Sequence, residues 1–465
     1  MIDVRQPVAH RRRWRVLAIV LLAGVMDLLD ATVMHVAAPS VRAGLGGSET
    51  TLQWYAAGYT LAFGVLLVVG GRLGDRWGRR RLFLIGACGF TLASAACALA
   101  VDPSMLVMAR IAQGALGALM IPQGFGILTS VFAEPERGRA FALFGPVMGL
   151  AGIGGPILAG GLISLNLGGL DWRLIFLINV PLGLLTVAGA LRWMPADPGD
   201  RDARIDPVGV ALVTAGSALL VHPLIQGREA GWPWWSFVLL AAGVLAFVML
   251  GRRQRTSPAP ILVPSLLAKR PFVGGLTVAV VFFTGLGGLL LVLSLHLQIG
   301  LGHTALKAAL ALSPVAAGIM LGSLAAPALK AKMGRSSLHL GLAVETLGLL
   351  AMLAMLAIAQ PSAPAWASAP PLLVVGLGLG LLFGPLIQVI LTTADPHEIG
   401  SASGSLNAVQ QLATALGVAA AGTLYFALGD SGGLTAGLLL AVASCLVSAA
   451  LVPLIPRSPI AEGDN

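Results

Sequence analysis

The chain has 465 residues, 57% of them hydrophobic and 11% charged, with a formal net charge of +9 and a mean hydropathy of +0.89. A soluble domain carries about 25% charged residues, so the composition excludes a soluble enzyme or soluble domain and reads as an integral membrane protein. The basic residues sit in short loops between apolar runs, which argues for a lipid bilayer and against nucleic acid as the partner.

Taken in chain order, Arg11, Arg12, Arg13 and Arg15 precede the first apolar run as they would in a secretory signal. Asp27 and Asp30 interrupt that run and more spans follow, so the segment reads as a cytoplasmic tail entering the first helix. At about 20 apolar residues per span, helices are expected near 15–38, 52–71, 82–100, 104–131, 139–163, 172–192, 208–226, 234–251, 272–294, 307–328, 338–358, 371–391, 401–427 and 434–456. That makes fourteen. His222, Pro223, Arg228 and Glu229 shorten the seventh and eighth. With the N-terminus inside, all of the 29 Lys and Arg residues except Arg42, Arg110, Arg173, Arg228 and Lys307 fall on the cytoplasmic side. One missed helix would invert every later loop, so an even count with both termini cytoplasmic is favoured.

Between the second and third spans lies Gly70–Arg81, GGRLGDRWGRRR. Arginine costs roughly 2.5–3.5 kcal/mol at a bilayer centre, so this knot belongs outside the hydrocarbon. Gly70, Gly71, Gly74 and Gly78 are expected to let the backbone turn tightly between two spans and approach a neighbour closely. Positive charge alone does not account for Asp75. A weaker copy, Leu329 to Arg335, aligns with Leu73 to Arg79, with Ala331 in the place of the aspartate. Duplicated helical halves are common in transporters. The expected domains are a six-helix bundle over 1–192, an inserted helix pair with its linkers over 193–270, and a second six-helix bundle over 271–465. Cys88, Cys97 and Cys445 lie in apolar runs and read as core packing; the first two fall on opposite helix faces, so no disulfide or metal site is implied.

Five stretches carry a family resemblance. Gly71-Arg72-Leu73-Gly74-Asp75-Arg76-Trp77-Gly78-Arg79-Arg80 resembles the loop between helices 2 and 3 of major facilitator superfamily transporters. Asp30-Ala31-Thr32-Val33-Met34-His35-Val36-Ala37-Ala38-Pro39 is similar to the first-helix motif of the 14-span drug/proton antiporters, with His35 and Ala38 departing from it. Gly152 to Gly161 resembles the antiporter motif G-P-x-x-G-G around Gly155 and Pro156, with Ala159 at one glycine position and Ala142 and Ala151 at others upstream. Asp171-Trp172-Arg173-Leu174-Ile175-Phe176-Leu177-Ile178-Asn179-Val180-Pro181 resembles the start of that family's sixth helix. Arg110-Ile111-Ala112-Gln113-Gly114 also follows the superfamily's fourth-helix pattern. The resemblance implies an all-α major facilitator fold of 14 transmembrane helices in the cell membrane. It further implies gating by Gly71, Gly74, Asp75, Arg76, Gly78, Arg79, Gly155 and Pro156, and a part for Arg110 in proton transfer.

The residues themselves add candidates. Asp27 and Asp30 lie about 60° apart around one helix and share a face. Intramembrane carboxylates usually mark ion or substrate pathways, so both are candidate proton-coupling groups, and Asp30 a candidate substrate ligand. Arg110 needs an acidic partner or carbonyls if buried. Gln113 lies one turn on and is a further candidate substrate ligand. Glu345 is the only acid inside the second half's expected spans and is a candidate for cationic substrate or proton binding. Asn179 and Asn407 join it as candidate substrate ligands, and Gln298, Gln388, Gln410 and Gln411 as pathway lining or helix-to-helix hydrogen bonds. His35 and His222 read as packed, hydrogen-bonded groups. Gly376, Gly380 and Gly384, like Gly145 and Gly149, form four-residue seams that let helices approach closely.

No Walker A motif, H-E-x-x-H motif or nucleophile–base set occurs, and Gly400 to Gly404 fits G-x-S-x-G only when shifted. No catalytic residue, metal or cofactor is expected, and no obligate protein partner. The expected function is multidrug efflux: export of small amphipathic or cationic compounds, drugs or antibiotics among them, in exchange for protons. The alternatives are an exporter dedicated to one endogenous metabolite or antibiotic, a proton-symport uptake permease, and a non-transporting membrane sensor.

Overall fold

The computed structural model describes residues 12–133, 136, 139–140, 143–200, 206–257, 260, 264–358, 365–395 and 398–455. Among them every regular element is helical. The long helices are α1 (Arg13–Leu45), α2 (Glu49–Trp77), α3 (Arg79–Ala98), α4 (Pro103–Val131), α5 (Phe144–Leu165), α6 (Asn179–Trp193), α7 (Pro207–Gln226), α8 (Trp234–Thr256), α9 (Arg270–Leu295), α10 (Ala305–Met333), α11 (Ser336–Ile358), α12 (Ala369–Leu391) and α13 (Ile399–Leu451). Among the described residues, 11 helices are long and apolar enough to cross a membrane, or 12 if the bent pair Glu49–Leu67 and Val69–Trp77 is one span. In that number α13 counts once, although its 53 residues extend roughly 80 Å at 1.5 Å per residue. Gly429 (φ 73°, ψ 179°) breaks it into two arms, and Tyr425 Oη donates to Asp430 Oδ1 at 2.8 Å across the break.

The chain divides into two compact units, Met1–Ser217 with Ser257–Ile261, and Ala218–Thr256 with Leu262–Asn465. In the first, α2 and α3 pack on α4, α1 packs on α5 and α6, and α3 on α6. Glycines set these distances. A Cβ on Gly114 would collide with the Tyr59 carbonyl, and one on Gly86 would lie 2.7 Å from Met120 N. Phe83, Phe90, Met120 and Phe132 fill the core between them. Asp102 starts α4 by accepting from Met105 N at 2.9 Å, with Pro103 in the first helical turn where its missing N–H costs nothing. In the second unit α10 packs on α12, α11 on α12, and α9 against both arms of α13. Gly287 on α9 abuts Thr414 of the first arm, and Gly285 abuts Ser444 of the second.

The arginine-rich knot departs from expectation. It is not a turn from Gly70 onward: α2 stays helical through Trp77 and only Gly78 (φ 92°, ψ 129°) breaks the chain before α3 begins. Gly70 and Gly74 are there for packing, since side chains at those positions would strike Ala118 and Gln123 of α4. Gln123 Nε2 then donates to Gly70 O at 2.7 Å. The first helix also runs longer than expected, through Pro39 to Leu45. Cys97 and Cys445 are buried as expected, whereas Cys88 is exposed; its face of α3 points away from the one that carries Cys97. The seam at Gly376 and Gly380 does receive α10, at Val315 and Ile319, while Gly384 has open space around it. The surroundings of Gly145, Gly149 and the His35 side chain lie outside the described residues.

Candidate functional site

Five helical segments of the first unit bring polar side chains to one buried point. From α1 come Asp27 and Asp30, from α2 Tyr55 and Tyr59, and from α3 Ser94 and Cys97. Arg110 and Gln113 come from α4, and Asn179 from the start of α6. Arg110 and Gln113 are three residues apart on α4 and so share a face, as Tyr55 and Tyr59 do on α2.

At the centre Arg110 Nη1 pairs with Asp30 Oδ2. Gln113 Nε2 and Asn179 Nδ2 donate to Asp30 Oδ1 at 2.8 and 2.9 Å, so both carboxylate oxygens are satisfied. Arg110 also donates through Nε to Tyr55 O at 3.0 Å and through Nη1 to Gln113 Oε1 at 2.8 Å. Its guanidinium carbon lies 4.4 Å from the Tyr59 ring centroid, a cation–π contact that favours the charge where water is absent. Gln113 is held in turn by Ser94 Oγ, 2.7 Å from its Nε2. A charged pair taken out of water is tolerated only with this density of hydrogen bonds.

Asp27 sits one turn before Asp30 and differs from it. It is half-buried, accepts the Tyr59 hydroxyl at 2.5 Å, and is in no ion pair among the described residues. The site therefore holds one carboxylate locked to a guanidinium and, through the Tyr59 ring and hydroxyl, a second carboxylate beside it without a cation. Such a set can exchange a proton or accept a cation at Asp27 without dismantling the Asp30 pair. No group of His, Cys, Asp and Glu suited to hold a metal occurs among the described residues.

Of the expected site residues, then, the structure unites Asp27, Asp30, Arg110, Gln113 and Asn179. Gly155 on α5 faces Thr32, two residues beyond Asp30, so that α5 lies close to α1 there, and Pro156 continues inside α5. Gly71 has open space where a side chain would be. Asp75 Oδ1 accepts from Arg79 Nη2 at 3.0 Å, Arg76 is exposed, and Arg79 Nη1 reaches Gly126 O at 3.0 Å. Glu345 and Asn407 belong to the second unit. Glu345 is 2% exposed; Asn407 is exposed and donates to Ser403 O of its own helix at 3.0 Å. Gln298 donates to Ser294 Oγ at 3.0 Å, and Gln388 accepts from Lys330 Nζ at 2.9 Å.

Tyr55, Tyr59 and Ser94 were not legible as site residues, although one signal existed. The chain has only 3 tyrosines, and all of them are buried. A second polar knot, also missed, lies in the second unit. Lys269 Nζ bonds Asp395 Oδ2 at 2.9 Å and Glu398 Oε2 at 2.7 Å, and Ser265 donates to Glu398 Oε1. Together they tie the start of α9 to the start of α13. Lys269 and Ser265 hold the Glu398 carboxyl down at about 2, and Glu398 and Asp395 raise the Lys269 ammonium.

The sequence model for the Major Facilitator Superfamily matches residues 20–418. The chain is 48% identical over 429 residues to the probable actinorhodin transporter of Streptomyces coelicolor, covering 91% of this chain and 74% of that protein. It is 36% identical to the puromycin resistance protein pur8 of Streptomyces alboniger, covering 89% and 82%. Among solved structures, a POT family transporter bound to a thioalcohol-conjugated peptide matches with a TM-score of 0.72 at 15% identity, over 97% of this chain and 99% of that one.

Proposed function

The chain belongs to the Major Facilitator Superfamily, and from that premise we propose that it exports small amphipathic or cationic compounds from the cell in exchange for protons. One observation carries the reading: a buried Asp30–Arg110 pair with an unpaired carboxylate, Asp27, one turn away. Intramembrane acids are retained at a cost and typically serve ion or substrate pathways. A proton that neutralises a carboxylate of this set weakens its hold on a cationic cargo. Loss of that proton on the cytoplasmic side restores the charge for the next one. Gln113 and Asn179 position Asp30, and Arg110 senses whether Asp30 carries its charge. Asp27 is the group open to the cargo.

Alternating access exposes the site to one side of the cytoplasmic membrane at a time, with Gly71 to Arg79 and Gly155–Pro156 as the gating elements. Both termini are cytoplasmic in this reading. The helices form six-helix bundles over 1–192 and 271–465 with an inserted pair over 193–270. Fourteen passes follow if the bent α2 is one span and α5 and each arm of α13 cross separately. Glu345 and Asn407 are the candidate contributions of the second bundle to cargo or proton binding.

A second reading, an exporter dedicated to one antibiotic, is favoured by the likeness to a protein named as a probable actinorhodin transporter. Purified chain in liposomes separates the readings. With an imposed proton gradient, ethidium and a polyketide antibiotic are offered in turn while internal pH is recorded. Proton movement driven by both supports a broad exporter, by the polyketide alone a dedicated one, and by neither refutes proton exchange of these compounds.

A further inference from the structure

Glu345 stands outside the cluster of Asp27, Asp30 and Arg110, in the second unit, and its surroundings give its candidate role a definite form. It is the tenth residue of the 23-residue helix α11, near mid-span, and is 2% exposed. Gly378 of α12 lies against its backbone so closely that a Cβ there would come within 2.6 Å of Glu345 Cα. From α13 the buried thiol of Cys445 hydrogen-bonds its carboxyl. The other oxygen, Oε2, is buried and has no hydrogen-bond partner among the described residues.

The charges that could compensate it are elsewhere. Helix α12 carries no ionisable side chain. On α10 the ionisable groups are Lys307 in the first turn and Lys330 and Lys332 in the last; Lys330 is engaged by Gln388. On α13 they are Cys445, Tyr425 and Asp430, and the latter two bond each other at the Gly429 break. Apart from Glu345 itself, α11 offers only His339, nearly two turns away. An ion in this setting would be uncompensated, while a neutral carboxyl leaves one oxygen without a partner. Neither form is fully satisfied while α11, α12 and α13 are closed together. Opening of the interface, admitting water to Oε2, would relieve both. A glutamine or threonine would serve as a helix clamp without the cost of an acid.

We propose that Glu345 is a second proton-binding site, in the C-terminal unit. It holds a proton while α11, α12 and α13 are closed and exchanges it when they part, so that one cargo cycle moves a proton in addition to the one handled by Asp27 and Asp30. The role in a cargo cycle rests on the proton-exchange reading; the proton on Glu345 does not.

Two measurements on the full-length chain in lipid test this separately. Infrared difference spectra between about pH 5 and about pH 9, a range that brackets ordinary and strongly displaced carboxyls, should show a neutral-carboxyl band that changes with pH. The band should vanish in Glu345→Gln, persist in Asp30→Asn, and shift in frequency in Cys445→Ala. A spectrum unchanged by Glu345→Gln, or a Glu345 band constant across the range, overturns the proposal. In the liposome assay the protons moved per cargo should fall by about one in Glu345→Gln and be restored in Glu345→Asp, which keeps the titration. An unchanged ratio overturns the transport role. Absence of cargo-driven proton flux in the wild type refutes the exchange reading instead, and leaves the infrared result to decide whether Glu345 binds a proton.

Discussion

Arg110 and Asp30, 80 residues apart in sequence, form an ion pair whose side chains are 1% and 0% exposed. Removing one member of such a pair leaves an uncompensated buried charge, at about 3–5 kcal/mol. Asp30→Asn and Arg110→Gln should each lower the melting temperature of the purified chain and abolish active export. The double variant should recover most of the stability and none of the transport. Full stability in either single variant would mean that neither charge depends on the other for its neutralisation.

Tyr59→Phe separates the two things that Tyr59 does. The ring remains beneath Arg110, while the hydroxyl bond to Asp27 at 2.5 Å is lost. Stability should drop by about 1.5–3 kcal/mol, the usual range for a hydrogen bond to a charged group. The pH profile of export should move, because Asp27 loses the hydroxyl that donates to it. An unmoved profile with the expected stability loss would exclude Asp27 from coupling.

Asp75 and Arg79 meet at 3.0 Å with side chains 45% and 36% exposed, and exposed pairs are worth about 0–1 kcal/mol. Asp75→Asn should therefore leave thermal stability within measurement error. Any loss of transport then reports gating rather than folding. Gly78→Ala should behave differently, since φ is 92° there and a Cβ would strike the Asp197 carbonyl. Backbone strain of this kind costs roughly 1–3 kcal/mol, visible as a lower melting temperature.

The knot of Lys269, Asp395 and Glu398 has a defined pH window. Glu398 is held at about 2 in the fold, below the ordinary glutamate value of about 4.3. Its contribution is thus present above about pH 4.3 and lost as pH falls through about 2. Lys269 is raised, so its contribution holds below the ordinary lysine value of about 10.4 and fades only above it. Melting temperature should show no contribution of this knot to pH dependence from about pH 5 to about pH 9. Glu398→Gln should lower it uniformly across that range. A variant whose deficit changes within the range would show that the knot titrates there.

The sequence alone determined that this is a membrane chain of long apolar helices with its arginines, Arg110 apart, at the helix ends and connections. Hydropathy is a local property, and the thickness of the bilayer sets how long each run must be. It also marked Asp27, Asp30, Arg110, Gln113 and Asn179, since a polar side chain inside an apolar run is conspicuous wherever it lies. It could not pair them, because which helix faces meet is settled by packing across the whole unit. Only the tertiary structure gave Asp30 to Arg110, put Tyr59 between Arg110 and Asp27, and left Glu345 with Cys445 and, among the described residues, no cation. Likewise, the glycines of Gly70–Arg81 suggest a flexible turn when read along the chain. In the fold all but Gly78 are helical, and Gly70 and Gly74 are small because α4 presses against them. A glycine's reason lies in its neighbours in space, and those are absent from a linear reading.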